Sequence, residues 1–163
     1  MLYMLFENRN ILYSCSLSDF SENEPVPLRY SPNEIFVSGG YITVSFESTP
    51  FVYVAPESDI AAGVYIELPS VCVSAAISNG VLYAIAGGRL VHCSADGSEP
   101  PITFIRAERV QADSERIYLL SGGILSVYTP SLSLIAKLEV NGDDLLLGSG
   151  IAVGNTVYDP MLN

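Results

Sequence analysis

Short apolar runs broken by turn residues dominate the hydrophobic pattern of this chain. The runs are four to seven residues long and rich in Val, Ile, Leu, Tyr and Phe, and clusters of Gly, Pro, Asn, Asp and Ser separate them. Strands of globular proteins have this length and composition. Apolar residues nowhere keep the i, i+3, i+4, i+7 spacing of an amphipathic helix over twelve positions without meeting a breaker. The pattern therefore predicts a chain that is nearly all β.

A two-residue turn between two short apolar strands recurs five times. Its clearest forms are Gly39-Gly40, Gly87-Gly88 and Gly122-Gly123, and weaker forms occur at Arg9-Asn10 and Gly154-Asn155. Successive copies start 30, 48, 35 and 32 residues apart. Glycine pairs tolerate the positive φ of tight hairpin turns, and recurrence near such a period indicates a repeat architecture.

Alignment of the five turns exposes apolar columns. The second residue after the turn is aliphatic in every copy: Leu12, Ile42, Leu90, Leu125 and Val157. The third residue before the turn is apolar in every copy: Phe6, Phe36, Ala84, Leu119 and Ile151. The column just before that one is also largely apolar: Leu5, Ile35, Tyr83, Tyr118 and Gly150. Strands that are apolar at consecutive positions are buried on both faces, which predicts sheets stacked against neighbours on either side.

Flanking strands complete a four-stranded unit in the third and fourth copies. A lead strand precedes the hairpin at 71–77 and 109–112, and a trailing strand follows it at 102–106 and 132–140. Four-stranded antiparallel units of about 35 residues, stacked face to face, are typical of β-propeller blades.

Residues 114–128, which read SERIYLLSGGILSVY, resemble the middle of a blade of WD40 or quinoprotein-like β-propeller repeat proteins. The chain contains no tryptophan, so the Trp-Asp dipeptide of WD40 blades is missing. The resemblance implies a blade architecture without a specific family function. We expect an all-β fold, a small or incomplete β-propeller of about five short blades. The alternative is a β-sandwich or jelly roll, which predicts a stricter in-out alternation.

The second repeat carries extra sequence within what we interpret as a single domain over residues 1–163. Its length predicts a strand-pair insertion at about 49–70, with strands at 51–54 and 64–68. The repeat itself does not require the aromatic residues Phe51, Tyr53 and Tyr65, so they are candidate interaction anchors.

The first and fifth hairpins each lack one flanking strand. No lead strand precedes the first hairpin, and the fifth is followed only by residues 159–163. Because proteins normally cover exposed sheet edges, we expect either trimmed blades or strands supplied by another chain.

The charge balance excludes some partners. The 163 residues are 49% apolar and 15% charged, with a formal net charge of −11 and a single lysine, Lys137. Phosphate neutralisation needs clustered Lys and Arg, so nucleic acid and an anionic membrane surface are disfavoured. The apolar start is too short for a signal peptide, and no run reaches the length of a membrane span. We expect an intracellular, cytoplasmic protein, with a virion or another assembly as an alternative.

Groups that carry chemistry are sparse. The single histidine, His92, adjoins Cys93 on a strand, where neighbouring side chains point to opposite faces, so the two do not suit one ligand site. The three cysteines, Cys15, Cys72 and Cys93, lack metal-ligand spacing and are expected to be buried free thiols of a reducing compartment.

The remaining polar motifs also have simpler explanations. Asp96-Gly97 and Asp143-Asp144 offer fewer carboxylates than a calcium loop supplies, and the glycine pairs join two strands, unlike a phosphate-binding loop. The sequence thus predicts no catalytic, cofactor-binding or metal-binding residues and no cofactor.

These features favour a non-enzymatic scaffold for protein–protein interaction, or a structural subunit of a larger assembly. It would bind a protein partner or self-associate through blade edges and the 49–70 segment. The alternative is a carbohydrate-binding or small-molecule-binding, lectin-like propeller. An enzyme with a site in the central channel, dependent on His92, is a third reading, which the lack of a base-nucleophile pair disfavours.

Overall fold

The computed structural model describes residues 1–147, 151–154 and 156–158. These residues form eighteen strands and two single-turn 3-10 helices, Glu7–Arg9 and Ile60–Ala62. The strands are β1 (Leu2–Phe6), β2 (Ile11–Cys15), β3 (Val26–Pro27), β4 (Pro32–Ser38), β5 (Tyr41–Phe46), β6 (Phe51–Pro56), β7 (Val64–Glu67), β8 (Cys72–Ser78), β9 (Val81–Ala86), β10 (Arg89–Ser94), β11 (Ile102–Arg106), β12 (Arg109–Ala112), β13 (Ile117–Ser121), β14 (Ile124–Tyr128), β15 (Leu134–Glu139), β16 (Leu145–Leu147), β17 (Ile151–Val153) and β18 (Thr156–Tyr158). The predicted all-β class is confirmed.

The strands form five small antiparallel sheets, each built from consecutive segments of the chain. Sheet I contains β1–β3, sheet II β4–β7, sheet III β8–β11, sheet IV β12–β15 and sheet V β16–β18. Every strand pairs with the strand next to it in sequence, so local hairpins account for the whole pairing pattern. Five sheets in the described part of the chain are not the two facing layers of a sandwich.

The sheets stack side by side, with their first strands closest together. Contacts link β1 to β4, β4 to β8, β8 to β12 and β12 to β16. No contact of similar extent joins β16 to β1 among the described residues. The outermost strands β11 and β15 are exposed along almost their whole length. The sheets therefore fan outwards from their first strands, as propeller blades do.

Four apolar layers fill the spaces between successive sheets. The strand β6 shows why consecutive positions are apolar: Tyr53 and Ala55 pack toward sheet I, whereas Val52 and Val54 pack toward sheet III. The layer between sheets III and IV contains Ile85, Leu90 and Val110 among others. The prediction of sheets buried on both faces is confirmed for the interior of the stack.

The predicted insertion at 49–70 is wrong, because this segment supplies β6 and β7, the regular third and fourth strands of sheet II. The error arose from the alignment of unlike turns. Gly39-Gly40 joins the first and second strands of its sheet, whereas Gly87-Gly88 and Gly122-Gly123 join the second and third. Glycine pairs can form either turn, so the apparent 48-residue spacing mixes two structural positions.

The two end sheets have three described strands each. Because β1 contacts β4, it is itself the first strand of sheet I, so the expectation of a missing lead strand is wrong. Sheet I instead lacks a fourth, outer strand among the described residues. Residues 159–163, on which the expectation of a missing trailing strand depended, lie outside the described residues, as do Gly150 and Asn155 of the fifth hairpin.

One turn lies directly against the neighbouring sheet. Gly39 has a φ of +58°, and a Cβ added there would lie 2.4 Å from the backbone oxygen of Ile77. Beside it, the Ser38 hydroxyl accepts a 2.7 Å hydrogen bond from the Ile77 amide. Glycine is needed here both for the left-handed backbone and for the close approach of sheets II and III.

Serine side chains on the first strands join successive sheets. The Ser74 hydroxyl of β8 accepts a hydrogen bond from the Val110 amide at 3.0 Å and donates to the Val110 carbonyl at 3.3 Å. Ser78 donates in the same way to the Asp113 carbonyl at 2.5 Å. These hydroxyls satisfy backbone groups of Val110 in β12 and of Asp113, the residue that follows β12. In the described part of the chain, no helix is both long and apolar enough to cross a bilayer.

Candidate functional site

The predicted anchors Phe51, Tyr53 and Tyr65 belong to an aromatic cluster between sheets I and II. They are joined there by Tyr30 and Phe46. Tyr30 stacks on Phe51 with ring centroids 5.4 Å apart, and Phe46 stacks on Tyr65 at 6.0 Å. The structure thus brings all three predicted residues together, at the edge of an apolar core layer.

Tyr53 has a structural role in this cluster. Its side chain is 3% exposed, its hydroxyl donates to the Ile60 carbonyl at 2.7 Å, and it accepts a 3.1 Å bond from the Gly63 amide. Burial raises the pKa of the Tyr53 hydroxyl. A Cβ on Gly63 would overlap the Tyr53 ring. A ring so enclosed has no surface to offer a partner, which corrects its assignment as an interaction anchor.

Tyr65 and Phe51 are half-buried and keep one side open to solvent. The Arg29 guanidinium lies 4.5 Å from the centre of the Tyr65 ring, and the Arg29 amide donates to the Tyr65 hydroxyl at 2.9 Å. Burial raises the pKa of the Tyr65 hydroxyl, and both contacts from Arg29 oppose that shift. The participation of Phe51 and Tyr65 in an interface remains a prediction.

The outer edges of sheets III and IV expose larger apolar surfaces. On β11, Ile102 is 58% exposed, and Phe104 and Ile105 are also exposed. On β15, Leu134 and Ile135 are each 52% exposed. Among the described residues, each of these strands pairs with another strand on one side only, so its outer edge can bind an added strand.

A cavity of about 490 Å³ lies where the first strands of sheets II to V converge. Its polar lining comes from Glu34 on β4, Arg109 and Gln111 on β12, and Asp144 just before β16. The Arg109 Nε atom lies 3.8 Å from Asp144 Oδ1, and the Gln111 side-chain Nε2 donates to the Leu145 carbonyl at 3.3 Å. Cavities of this size hold small ligands in many proteins.

The charges around this cavity are coupled. Partial burial raises the pKa of the Glu34 carboxyl; the positive charge of Arg109 opposes this shift, and the negative charge of Asp144 reinforces it. The cavity therefore offers carboxylate acceptors together with a guanidinium donor. That combination suits a polar ligand with several hydroxyl or amine groups.

Sequence reasoning missed these cavity residues. The detectable signal was polar residues on otherwise apolar lead strands: Glu34 interrupts β4, and Arg109 and Gln111 alternate with Val110 and Ala112 on β12. Such alternation places the polar side chains on one face. Their convergence depends on the stacking of different sheets, which no single strand reveals.

The residues considered for catalysis stand apart from this cavity. His92 on β10 packs near the Tyr83 ring at 6.4 Å between centroids, on the side toward sheet IV, whereas Cys93 is buried in the layer toward sheet II. The expectation that they face opposite sides is confirmed. All three cysteines are free and buried, and burial raises the pKa of Cys72 to about 12 and of Cys93 to about 11. The described residues contain no group of three or more His, Cys, Asp or Glu that could hold a metal ion.

Comparison with known proteins defines the fold and leaves the family open. No protein-family model matches the chain, and no curated protein sequence matches it. Among solved structures, Kluyveromyces lactis Hsv2 is similar with a TM-score of 0.63 at 12% identity, covering 88% of this chain and 49% of that chain. BBS1N, solved in complex with ARL6DN, gives a TM-score of 0.66 at 14% identity, covering 91% of this chain and 49% of that chain. Kuenenia stuttgartiensis hydrazine synthase gives a TM-score of 0.63 at 10% identity, covering 88% of this chain and 47% of that chain.

These neighbours are propeller-like, so the comparison supports a propeller fold for this chain. The chain spans about half the length of each of them. At such identities the likeness concerns the fold alone.

Proposed function

We propose that this protein is a non-enzymatic scaffold that binds other proteins, or a structural subunit of a larger assembly. The observation that carries this proposal is the row of exposed apolar side chains on the outer strands of sheets III and IV. BBS1N, one of the structural neighbours, was solved in complex with ARL6DN, which is consistent with a propeller used for protein binding. We further propose that the five sheets are propeller blades, with the first and fifth incomplete.

The strand β15 is the main binding edge in this proposal. Its sequence LIAKLE places Leu134, Ile135 and Leu138 at the surface, on a six-residue strand whose outer edge pairs with no described strand. Proteins normally protect such edges with charge, proline or a short strand, and β15 has only Lys137 and Glu139 for this purpose. An added strand from a partner would gain both backbone hydrogen bonds and apolar contacts.

Quantitative affinity purification with two matched variants tests the proposal. Ile135→Glu places a charge on the apolar part of the edge, whereas Lys137→Glu changes a charge on the same strand without adding one to an apolar site. We expect Ile135→Glu to reduce recovery of bound proteins about tenfold, which corresponds to about 1.4 kcal/mol. Lys137→Glu should leave recovery within about twofold of wild type. Equal recovery with both variants would contradict the assignment of β15 as the binding edge.

The cavity at the centre of the stack favours a second candidate function, the binding of a carbohydrate or another small polar molecule. It combines a suitable volume with the convergent side chains of Glu34, Arg109 and Asp144. Thermal-shift screening against mono- and oligosaccharides tests this function, with Arg109→Gln as the variant that removes the donor. A ligand that raises the melting temperature of wild type but not of Arg109→Gln would support it. The absence of any shift across the screen would remove it.

We also propose that the chain has no catalytic activity of its own and resides inside the cell. His92 packs beside the Tyr83 ring while Cys93 faces the other side of the sheet, so the two do not form a nucleophile–base pair, and three free thiols suit a reducing compartment. An activity abolished by His92→Ala in a folded variant would overturn the first statement. Recovery of the native protein from an extracellular fraction would overturn the second.

A further inference from the structure

The outer side of sheet I is an apolar face that no described residue of the chain covers with another sheet. Tyr3, Leu5 and Leu12 point toward sheet II and pack in the layer there. Because side chains alternate along a strand, Leu2, Met4 and Phe6 point the other way, and they are 45%, 38% and 44% exposed.

Across the β1–β2 ladder, Met4 pairs with Tyr13 and Phe6 pairs with Ile11. Phe6 also contacts Tyr13 edge to face at 5.0 Å. We call this set, Leu2, Met4, Phe6, Ile11 and Tyr13, the sheet I end face. It is a continuous apolar surface of the kind that fills the interior layers of this stack.

The opposite end of the stack offers a smaller apolar surface. In sheet V, Leu145, Ile151 and Val153 pack toward sheet IV. Leu146 and its cross-strand partner Ala152 therefore lie on the outer side, and Leu146 is 60% exposed. We call Leu146 and Ala152 the sheet V end face.

We infer that a second copy of this chain covers these faces head to tail, with sheet V of one copy packed against sheet I of the other. Every interior layer joins the back of one sheet to the front of the next, and this arrangement repeats that relation between copies. A contact between the two sheet I end faces would instead place like faces against each other, a relation that no interior layer shows. The inference rests on the proposed role in protein–protein interaction and names the partner.

The packing relation between sheets supports a second copy as the occupant. Sheet V of one copy would meet sheet I of the next in the way that each interior sheet meets its neighbour. A head-to-tail contact is heterologous, and it forms a closed assembly when the curvature of the stack permits.

Charge gives this association a distinctive salt dependence. Each copy carries a formal net charge of −11, so the two copies repel each other while their apolar faces attract. Added salt screens the repulsion and leaves apolar burial intact. Association should therefore tighten as ionic strength rises, the opposite of an interface held by ion pairs.

Sedimentation velocity of the full chain at about 1 to 100 µM tests the inference. Two variants each charge one end face, Met4→Glu in sheet I and Leu146→Glu in sheet V. Val73→Glu is the matched control, because it charges a residue of similar exposure, 44%, on β8 in the middle of the stack and away from both faces. Circular dichroism and thermal unfolding establish that each variant is folded.

We expect wild type and Val73→Glu to associate as concentration rises, and to associate more tightly in high salt. Each end-face variant alone should associate at least about tenfold more weakly, as expected for a charge placed in an apolar contact. An equimolar mixture of Met4→Glu and Leu146→Glu should associate again, because one intact sheet I face then meets one intact sheet V face. This rescue is specific to head-to-tail packing.

Three results would overturn the inference: a wild-type monomer over the whole concentration range, association that neither end-face variant weakens, or loss with Met4→Glu without rescue in the mixture. The outcome also separates this inference from the proposed function. A monomer that still recovers partner proteins through β15 would refute the head-to-tail contact and leave the scaffold function standing.

Discussion

Two buried serines provide a stringent test of the packing between sheets, because the same substitution should have opposite effects at the two sites. Ser74 is 4% exposed and Ser45 is 0% exposed. The Ser74 hydroxyl bonds both the amide and the carbonyl of Val110 in the next sheet. The Ser45 hydroxyl has no hydrogen-bond partner among the described residues.

Replacement of Ser74 by alanine leaves two buried backbone groups of Val110 without this partner. A buried donor or acceptor left unsatisfied costs about 1–3 kcal/mol, so we expect Ser74→Ala to lower the free energy of unfolding by about that amount. In a chain of this size the melting temperature falls by about 2–4 °C per kcal/mol. Ser45→Ala removes a hydroxyl that is desolvated without compensation, so we expect it to raise the free energy of unfolding by up to about 1 kcal/mol.

Chemical denaturation followed by far-ultraviolet circular dichroism measures both changes, and tyrosine fluorescence provides a second probe because the chain has no tryptophan. Midpoints should shift in opposite directions at unchanged m-values, which shows that the difference lies in stability. Equal destabilisation by the two variants would refute the reasoning. It would mean that loss of the serine hydroxyl acts through packing alone and that the bond from Ser74 to the next sheet contributes nothing.

Three further predictions concern the turns, the thiols and the alkaline limit. Gly40→Ala should cost about 1–2 kcal/mol for its positive φ, and Gly39→Ala should cost more because its Cβ meets backbone of the next sheet; equal costs in urea unfolding would contradict this packing. Cys72, with a pKa raised by burial to about 12, should resist thiol reagents at neutral pH until the protein unfolds, and mass spectrometry showing equal labelling rates with and without urea would contradict its burial. Burial and the 2.8 Å bond from Tyr118 to Asp113 raise the pKa of the Tyr118 hydroxyl to about 12. Its neutral form is therefore favoured in the folded state, so this contribution is present below about pH 10 and is lost as pH rises toward 12. Tyr118→Phe should flatten that alkaline loss of stability in denaturation curves, and an unchanged pH profile would contradict the assignment.

Strand positions were predictable because apolar runs and turn residues report local burial. The lead, hairpin and trailing strands expected around Gly87-Gly88 and Gly122-Gly123 match β8–β11 and β12–β15 closely. The register of the second repeat was not predictable in the same way. Gly39-Gly40 and Gly87-Gly88 look alike in sequence, and only the pairing of β6 with β5 shows that they occupy different turns.

The candidate sites were less predictable than the strands. The sequence pattern indicated Tyr53 as an interaction anchor because the repeat does not require an aromatic residue there. In the structure its hydroxyl instead bonds Ile60 and Gly63 in the connection between β6 and β7. The sequence pattern did not predict Glu34 and Arg109 as site residues, although they line one cavity from two different sheets. A single sequence reports whether a residue is apolar or polar; it does not report which residues of separate sheets converge.

The strand β1 joins these two conclusions. Its sequence LYMLF is apolar at all five positions, the pattern that elsewhere in this chain accompanies burial on both faces. On β9, where sheets lie on either side, Leu82 and Ala84 meet one neighbour and Tyr83 and Ile85 meet the other. Among the described residues, only the side of β1 that faces sheet II is covered. The residues that point to the other side, which alternate with the covered ones, are exposed. Because exposed apolar surface of this extent is unfavourable in water, the composition of β1 matches a strand with a second neighbour. That neighbour is the one a head-to-tail copy would provide.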